Sequence, residues 1–223
     1  MGKISFSTAG SVTLAVIRLK TNADNCLAVT GTVASLLYLN ECFFEIVDAT
    51  GISFTSSSAS ALIRCSSCYG DITGATRAFI ASSSAGSFAW DYSFLDASGG
   101  VGTASTFSAG ILNIHFSKFN NVITTSGTAT GIIRHSRMLT SNSTCLTVGG
   151  SGSFICTMSF FQGGTASAIS VGSTCTLESC TVSSSNTNAV TGAGTLTYTA
   201  LAMSSTSEIN TTTQTPTYTQ LGK

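Results

Sequence analysis

A nine-residue pattern recurs along this chain, and it limits the possible folds more than any other feature. The pattern is apolar, x, apolar, x, x, small-or-Cys, x, apolar, x. Leu37-Tyr-Leu-Asn-Glu-Cys-Phe-Phe44 and Leu112-Asn-Ile-His-Phe-Ser-Lys-Phe119 are its clearest copies. The copies begin at Val12, Leu37, Ile63, Phe88, Leu112, Gly131, Phe154, Cys175 and Leu196, 19 to 26 residues apart. A period of this length marks a solenoid, in which no unit buries its apolar face alone and stacked neighbours complete the core.

The columns support this reading. Position three holds Leu14, Leu39, Cys65, Trp90, Ile114, Ile133, Cys156, Leu177 and Tyr198. Position six holds Ile17, Cys42, Cys68, Ser93, Ser117, Ser136, Ser159, Cys180 and Leu201. Position eight holds Leu19, Phe44, Gly70, Leu95, Phe119, Met138, Phe161, Val182 and Met203. Between copies lie short segments such as Cys26–Val29, Gly51–Phe54, Cys145–Val148 and Ala168–Val171, which alternate in the period-two manner of a half-buried strand. Gly-rich stretches such as Gly149-Gly150-Ser151-Gly152 are expected to supply left-handed corners. No segment has helical periodicity over ten residues. The expected fold is all-β: a single-domain right-handed parallel β-helix of about nine coils over residues 11–205. Residues 1–10 are read as a cap or assembly strand, and residues 206–223 as an extended tail making an assembly contact.

Two other architectures share part of the signal. A leucine-rich repeat needs a further Leu three residues upstream, where this chain has Ala34, Ser60, Ala85 and Ala109. An outer-membrane barrel also alternates along short strands. However, the apolar residues here gather in columns, and the first twenty residues do not read as an export signal. No apolar run reaches the length of a membrane-spanning helix.

Charge narrows the partners. Only 8% of residues are charged, and nine Lys and Arg balance nine Asp and Glu. No basic stripe exists to neutralise phosphates, so nucleic acid is not an expected partner. Near-zero net charge favours self-association.

The eight cysteines do not read as a disulfide scaffold. Cys42, Cys68 and Cys180 fall in the small column and Cys65 and Cys156 in an apolar one, so they are expected as free, buried thiols. Cys65-x-x-Cys68 is half of a zinc motif without its second half, and no metal or other cofactor is expected. Outward Thr147, Ser170 and Thr191 align as a row of hydroxyls, shorter and more mixed than an ice-binding array.

The densest functional chemistry lies mid-chain. Asp91, His115 and Arg134 share position four on consecutive coils, with Tyr92, Phe116 and His135 following them at position five. Adjacent strands are about 4.8 Å apart, so these side chains are in reach of one another. They are read first as a solvated ionic ladder or subunit contact, and second as a glycan-binding patch using the flat faces of Tyr92 and Phe116. No pair of acids suited to glycan hydrolysis stands out, and no catalytic residue is assigned.

The repeats resemble those of β-helical virion proteins, the tail fibres, tailspikes and related appendages of phages. The likeness is strongest over Ser183–Tyr198 and Ile209–Pro216 and covers roughly residues 10 to 210. It implies a rigid, assembled extracellular shaft or surface protein, and the chain is expected to be a non-enzymatic structural protein of a virion that acts by self-association, into a homotrimer or larger assembly, and by contact with other virion proteins. It also admits a glycan-binding or glycan-cleaving tailspike, or a secreted microbial surface adhesin. The expected location is the extracellular particle.

Overall fold

The computed structural model describes residues 4–21, 25–47, 49–73, 77–97, 103–141, 143–203 and 208–216. Among these residues there is no helix. The chain winds as a parallel β-helix with three short strands per coil. The second coil shows the plan: Leu27–Val29, then Ser35–Asn40, then Phe43–Ile46. Among the described residues every strand pairing is parallel and joins one coil to its neighbour, as in Leu27↔Ile52, Leu39↔Cys65 and Phe44↔Gly70. The third strands form a nine-stranded sheet running from Arg18–Lys20 to Ala202–Met203.

The register follows the repeat residue for residue. Val12, Leu37, Ile63, Phe88, Leu112, Gly131, Phe154, Cys175 and Leu196 are successive partners in the second-strand ladder. Position eight is equally continuous from Leu19 to Met203. Strand alternation turns positions one, three and eight inward, and from the second to the eighth coil their side chains are buried in one continuous cluster wherever they are large and apolar. Ile4–Phe6 lies on Leu27–Val29 as the first rung of its ladder, and Glu208–Pro216 lies on Asn188–Thr199. Residues 1–3, 206–207 and 217–223 of the expected end segments lie outside the described residues.

One irregular column shows how the core closes. Gly70 occupies position eight, where other coils carry Leu, Phe, Met or Val. A Cβ there would stand 2.6 Å from Leu95 Cδ1 and 3.6 Å from Phe79 Cε2. Phe79, which belongs to no repeat column, fills the vacated interior. Its ring meets Trp90 at 4.9 Å, Phe44 at 5.3 Å and Phe119 at 6.0 Å, all edge-on. Edge-to-face contacts of this kind add to simple area burial.

The corner between the second and third strands departs from the glycine expectation. Val16, Glu41, Ser67, Tyr92, Phe116, His135, Met158, Ser179 and Ala200 all have φ between 46° and 54°. They are the nine residues at position five, and none is glycine. A left-handed residue with a Cβ costs about 1–2 kcal/mol. Position six offsets that cost. Ser117 Oγ donates to His115 O at 2.7 Å and accepts the Ser93 N–H at 3.1 Å. Ser136 and Ser159 repeat both bonds one and two coils later. The position-five N–H groups of the first eight coils are also satisfied, as where Phe116 donates to Arg134 O at 3.0 Å. Position six is therefore small because it is a buried hydrogen-bonding post, a role in which Cys42, Cys68 and Cys180 donate Sγ–H to carbonyls. Glycine supplies other turns, such as Gly127 and Gly150, with φ of 55° and 75°.

Phe79→Ala tests this account of the core. Loss of its ring opens a cavity beside Trp90 and should cost about 3–5 kcal/mol. A denaturant midpoint unchanged from the parent would show that the interior closes without Phe79.

Candidate functional site

The structure brings the six mid-chain residues together as two adjacent rows. Position four stacks Asp91 on His115 and His115 on Arg134. This row is not uniformly solvated. Asp91 is only 4% exposed, whereas Arg134 is exposed. Asp91 Oδ2 accepts from Arg64 Nε at 2.8 Å, across the strand on the side away from His115. His115 Nδ1 lies 3.4 Å from Asp91 Oδ1, near but without a hydrogen bond, and Oδ1 has no other partner. These groups edge a shallow hollow of about 360 Å3, lined also by Leu62, Ala89 and Asn113. Ala89 creates the dip because the flanking coils carry Arg64 and Asn113 at the same position.

Position five forms the second row. Tyr92 and Phe116 stack at 5.0 Å with their planes 4° apart, and Phe116 and His135 at 4.6 Å and 8°. Their faces are turned on one another along the helix axis. Both faces of Phe116 are therefore covered within the row, while Tyr92, at its end, stacks through one face.

A third row was not singled out in the sequence. Position seven reads Arg18, Phe43, Tyr69, Phe94, Lys118, Arg137 and Phe160. Phe43, Tyr69 and Phe94 stack at 5.3 and 5.5 Å. Cations cover the ends: Arg18 lies 5.2 Å from the Phe43 centroid and Lys118 Nζ 4.2 Å from that of Phe94. Arg137 sits 5.2 Å from the Phe160 centroid. These aromatic and basic residues share one column of the repeat, so the alignment that reveals the inward columns reveals this row as well. On the fifth to eighth coils the two rows wall an open groove of about 580 Å3, with Ser117, Ser136 and Ser159 as its floor. Those hydroxyls are committed to the backbone, so the floor offers little to a ligand.

The remaining candidates are simpler. All eight cysteines are buried and free. Burial pushes the Cys26 thiol up to about 12 and that of Cys145 to about 11. Cys68 moves down, to about 7, because the Cys65 thiol donates to its sulfur. Among the described residues, no group of three or more His, Cys, Asp or Glu is placed to hold a metal ion. The outward hydroxyl row is longer than the sequence reading: Ser53, Ala81, Thr106, Thr124, Thr147, Ser170 and Thr191 are successive partners, with Ala81 as its gap. Glu45 accepts from Lys20 Nζ at 2.8 Å and also from Arg18, and these two bonds, Lys20 first, hold its carboxyl below the usual range. Comparisons with family models, curated proteins and solved structures return no match.

Two predictions follow from these contacts. Asp91→Asn keeps the shape but weakens the bond to Arg64 and should lower stability by about 1–3 kcal/mol in urea unfolding. Unchanged stability would argue against a structural role for the carboxylate. Glu45 has a lowered folded-state pKa, so its contribution is present above the unfolded value, about 4.3, and is lost as pH falls through the folded one. Glu45→Gln should therefore flatten the loss of melting temperature with acid below about pH 4, by a small amount because the pair is at the surface. A parent and variant with parallel acid profiles would contradict this.

Proposed function

We infer that the chain is a non-catalytic structural module of a virion, a part of a tail fibre, spike or surface decoration that acts as a rigid, self-associating rod. One observation carries this reading: a single buried core passes through successive coils without a break, clamped by parallel ladders on three sides. Nine rungs at about 4.8 Å make a shaft roughly 40 Å long. Such a shaft has no hinge, because bending it would break ladder bonds and core contacts together. The resemblance of the repeats to phage appendage proteins supports the virion setting. Self-association is supported by zero formal net charge and by exposed aromatic residues outside the core.

The glycan-binding or glycan-cleaving spike and the secreted adhesin draw less support. Hydrolysis of a glycoside needs two carboxyls about 5–9.5 Å apart on either side of the bond. Asp91, the carboxylate of the mid-chain cluster, is instead buried against Arg64 and stands beside His115.

Immunogold labelling of intact particles from the source tests the assignment. Antibodies to this chain should decorate the outside of the particle, and the purified protein should associate with rising concentration. Particles free of label, with the chain recovered from cell surfaces or medium, would move it to the adhesin reading.

A further inference from the structure

The surface stacks of aromatic rings differ in how their ends are closed. At position seven, Arg18 covers one end of the Phe43–Tyr69–Phe94 stack and Lys118 covers the other, while Arg137 lies over Phe160. A ring face carries the negative part of the aromatic quadrupole, so a cation is its favoured cover. The position-five stack of Tyr92, Phe116 and His135 has no such cover at its Tyr92 end. The next coil carries Ser67 there, whose side chain is too short to reach across a ring. Among the described residues no second ring and no cation lies over that face of Tyr92, which is 63% exposed.

The vacancy has a far wall of defined chemistry. Glu41, Ser67 and Tyr92 are position five of the second, third and fourth coils and share one left-handed backbone conformation, with φ of 52°, 54° and 49°. Glu41 N–H donates to Ser66 O at 3.1 Å and Ser67 N–H to Asp91 O at 3.2 Å, so the three corners stack in register. Two rungs separate Glu41 from Tyr92, about 10 Å. A flat group in van der Waals contact with the ring takes about 3.5–4 Å of that gap. The rest is within the reach of a glutamate side chain. Glu41 is exposed and has no ion pair among the described residues. Ser67, between them, is exposed as well.

We propose that the slot between Tyr92 and Glu41 binds a planar organic cation, the guanidinium of an arginine side chain presented by a partner protein. The guanidinium lies flat on the open face of Tyr92 and turns an N–H edge to the Glu41 carboxylate, with Ser67 beneath. The stack is then closed as Arg18 and Lys118 close the position-seven stack. Guanidinium suits the slot better than ammonium, because it is planar, weakly hydrated and able to stack and pair with a carboxylate at once. An anion is repelled by Glu41. A neutral sugar also stacks on a ring face but gains less from the charge. The proposal goes beyond the structural role inferred above, giving the rod a point of recognition, and does not depend on the virion setting or on self-association.

An NMR titration of the full chain with labelled tyrosine rings tests the slot. Arginine amide is the probe. Citrulline amide, of similar shape without the charge, and methyl glucoside are the controls, and Tyr92→Phe assigns the Tyr92 signal. Arginine amide should shift that signal saturably, with a dissociation constant in the millimolar range, and both controls should bind at least tenfold more weakly. Glu41→Gln should weaken binding several-fold and remove most of its salt dependence. Ser67→Tyr should abolish the response, because its ring fills the vacancy. The fourth coil already carries Tyr at this position, and an unchanged melting temperature establishes that the variant is folded. Equal shifts from citrulline amide would overturn the role of charge. A response to methyl glucoside alone would make the ring a sugar platform instead. Arginine binding that survives Ser67→Tyr would place the contact elsewhere, and the absence of a saturable shift with arginine amide would overturn the site.

Discussion

Parallel pairing between successive coils is the constraint on which the rest of the structure depends. Each coil exchanges N–H to carbonyl bonds with the coils on both sides, so a residue stands above its equivalent about 4.8 Å away. Inward, this makes like sit on like: Leu14, Leu39, Cys65 and Trp90 share one column, and a slip of one residue would turn every one of them outward. Outward, the same register stacks Tyr92 on Phe116 and Phe43 on Tyr69. The buried core and the surface rows are two results of one geometric rule.

The corner beside these columns depends on a second, local device. Nine residues adopt a left-handed conformation without glycine, which is unfavourable for an isolated chain. Here the residue after each is a post of Ser, Cys or a half-buried apolar side chain, and the serines bond to both the preceding carbonyl and a neighbouring N–H. Removing one such hydroxyl leaves a buried N–H without its partner. The corner is thus held by the coil itself together with its neighbours, and not by any one residue's intrinsic preference.

Much of the architecture was legible in the sequence because the determining signal was periodic. The inward positions from Val12 to Leu196 could be aligned by hydrophobicity alone, and the structure pairs them as aligned. Phe79 was not legible, because it compensates for Gly70 across the interior and obeys no period. The left-handed corner was misread for a related reason: glycine advertises that conformation, whereas Tyr92 or Met158 does not. The mid-chain cluster was found correctly as a group of neighbours. Its environment was not, since the burial of Asp91 depends on Arg64 reaching over from the adjacent coil, and the mutual stacking of Tyr92 and Phe116 depends on ring rotation that no column reveals.

The left-handed corner has a consequence for how such a protein can change. Val, Glu, Ser, Tyr, Phe, His, Met and Ala all occupy the same backbone conformation there, with their side chains outside the core. The conformation is guaranteed from beneath, so the outward group carries no folding duty. Surface identity can be rewritten rung by rung, as type is changed in a fixed frame, while the packed interior goes untouched.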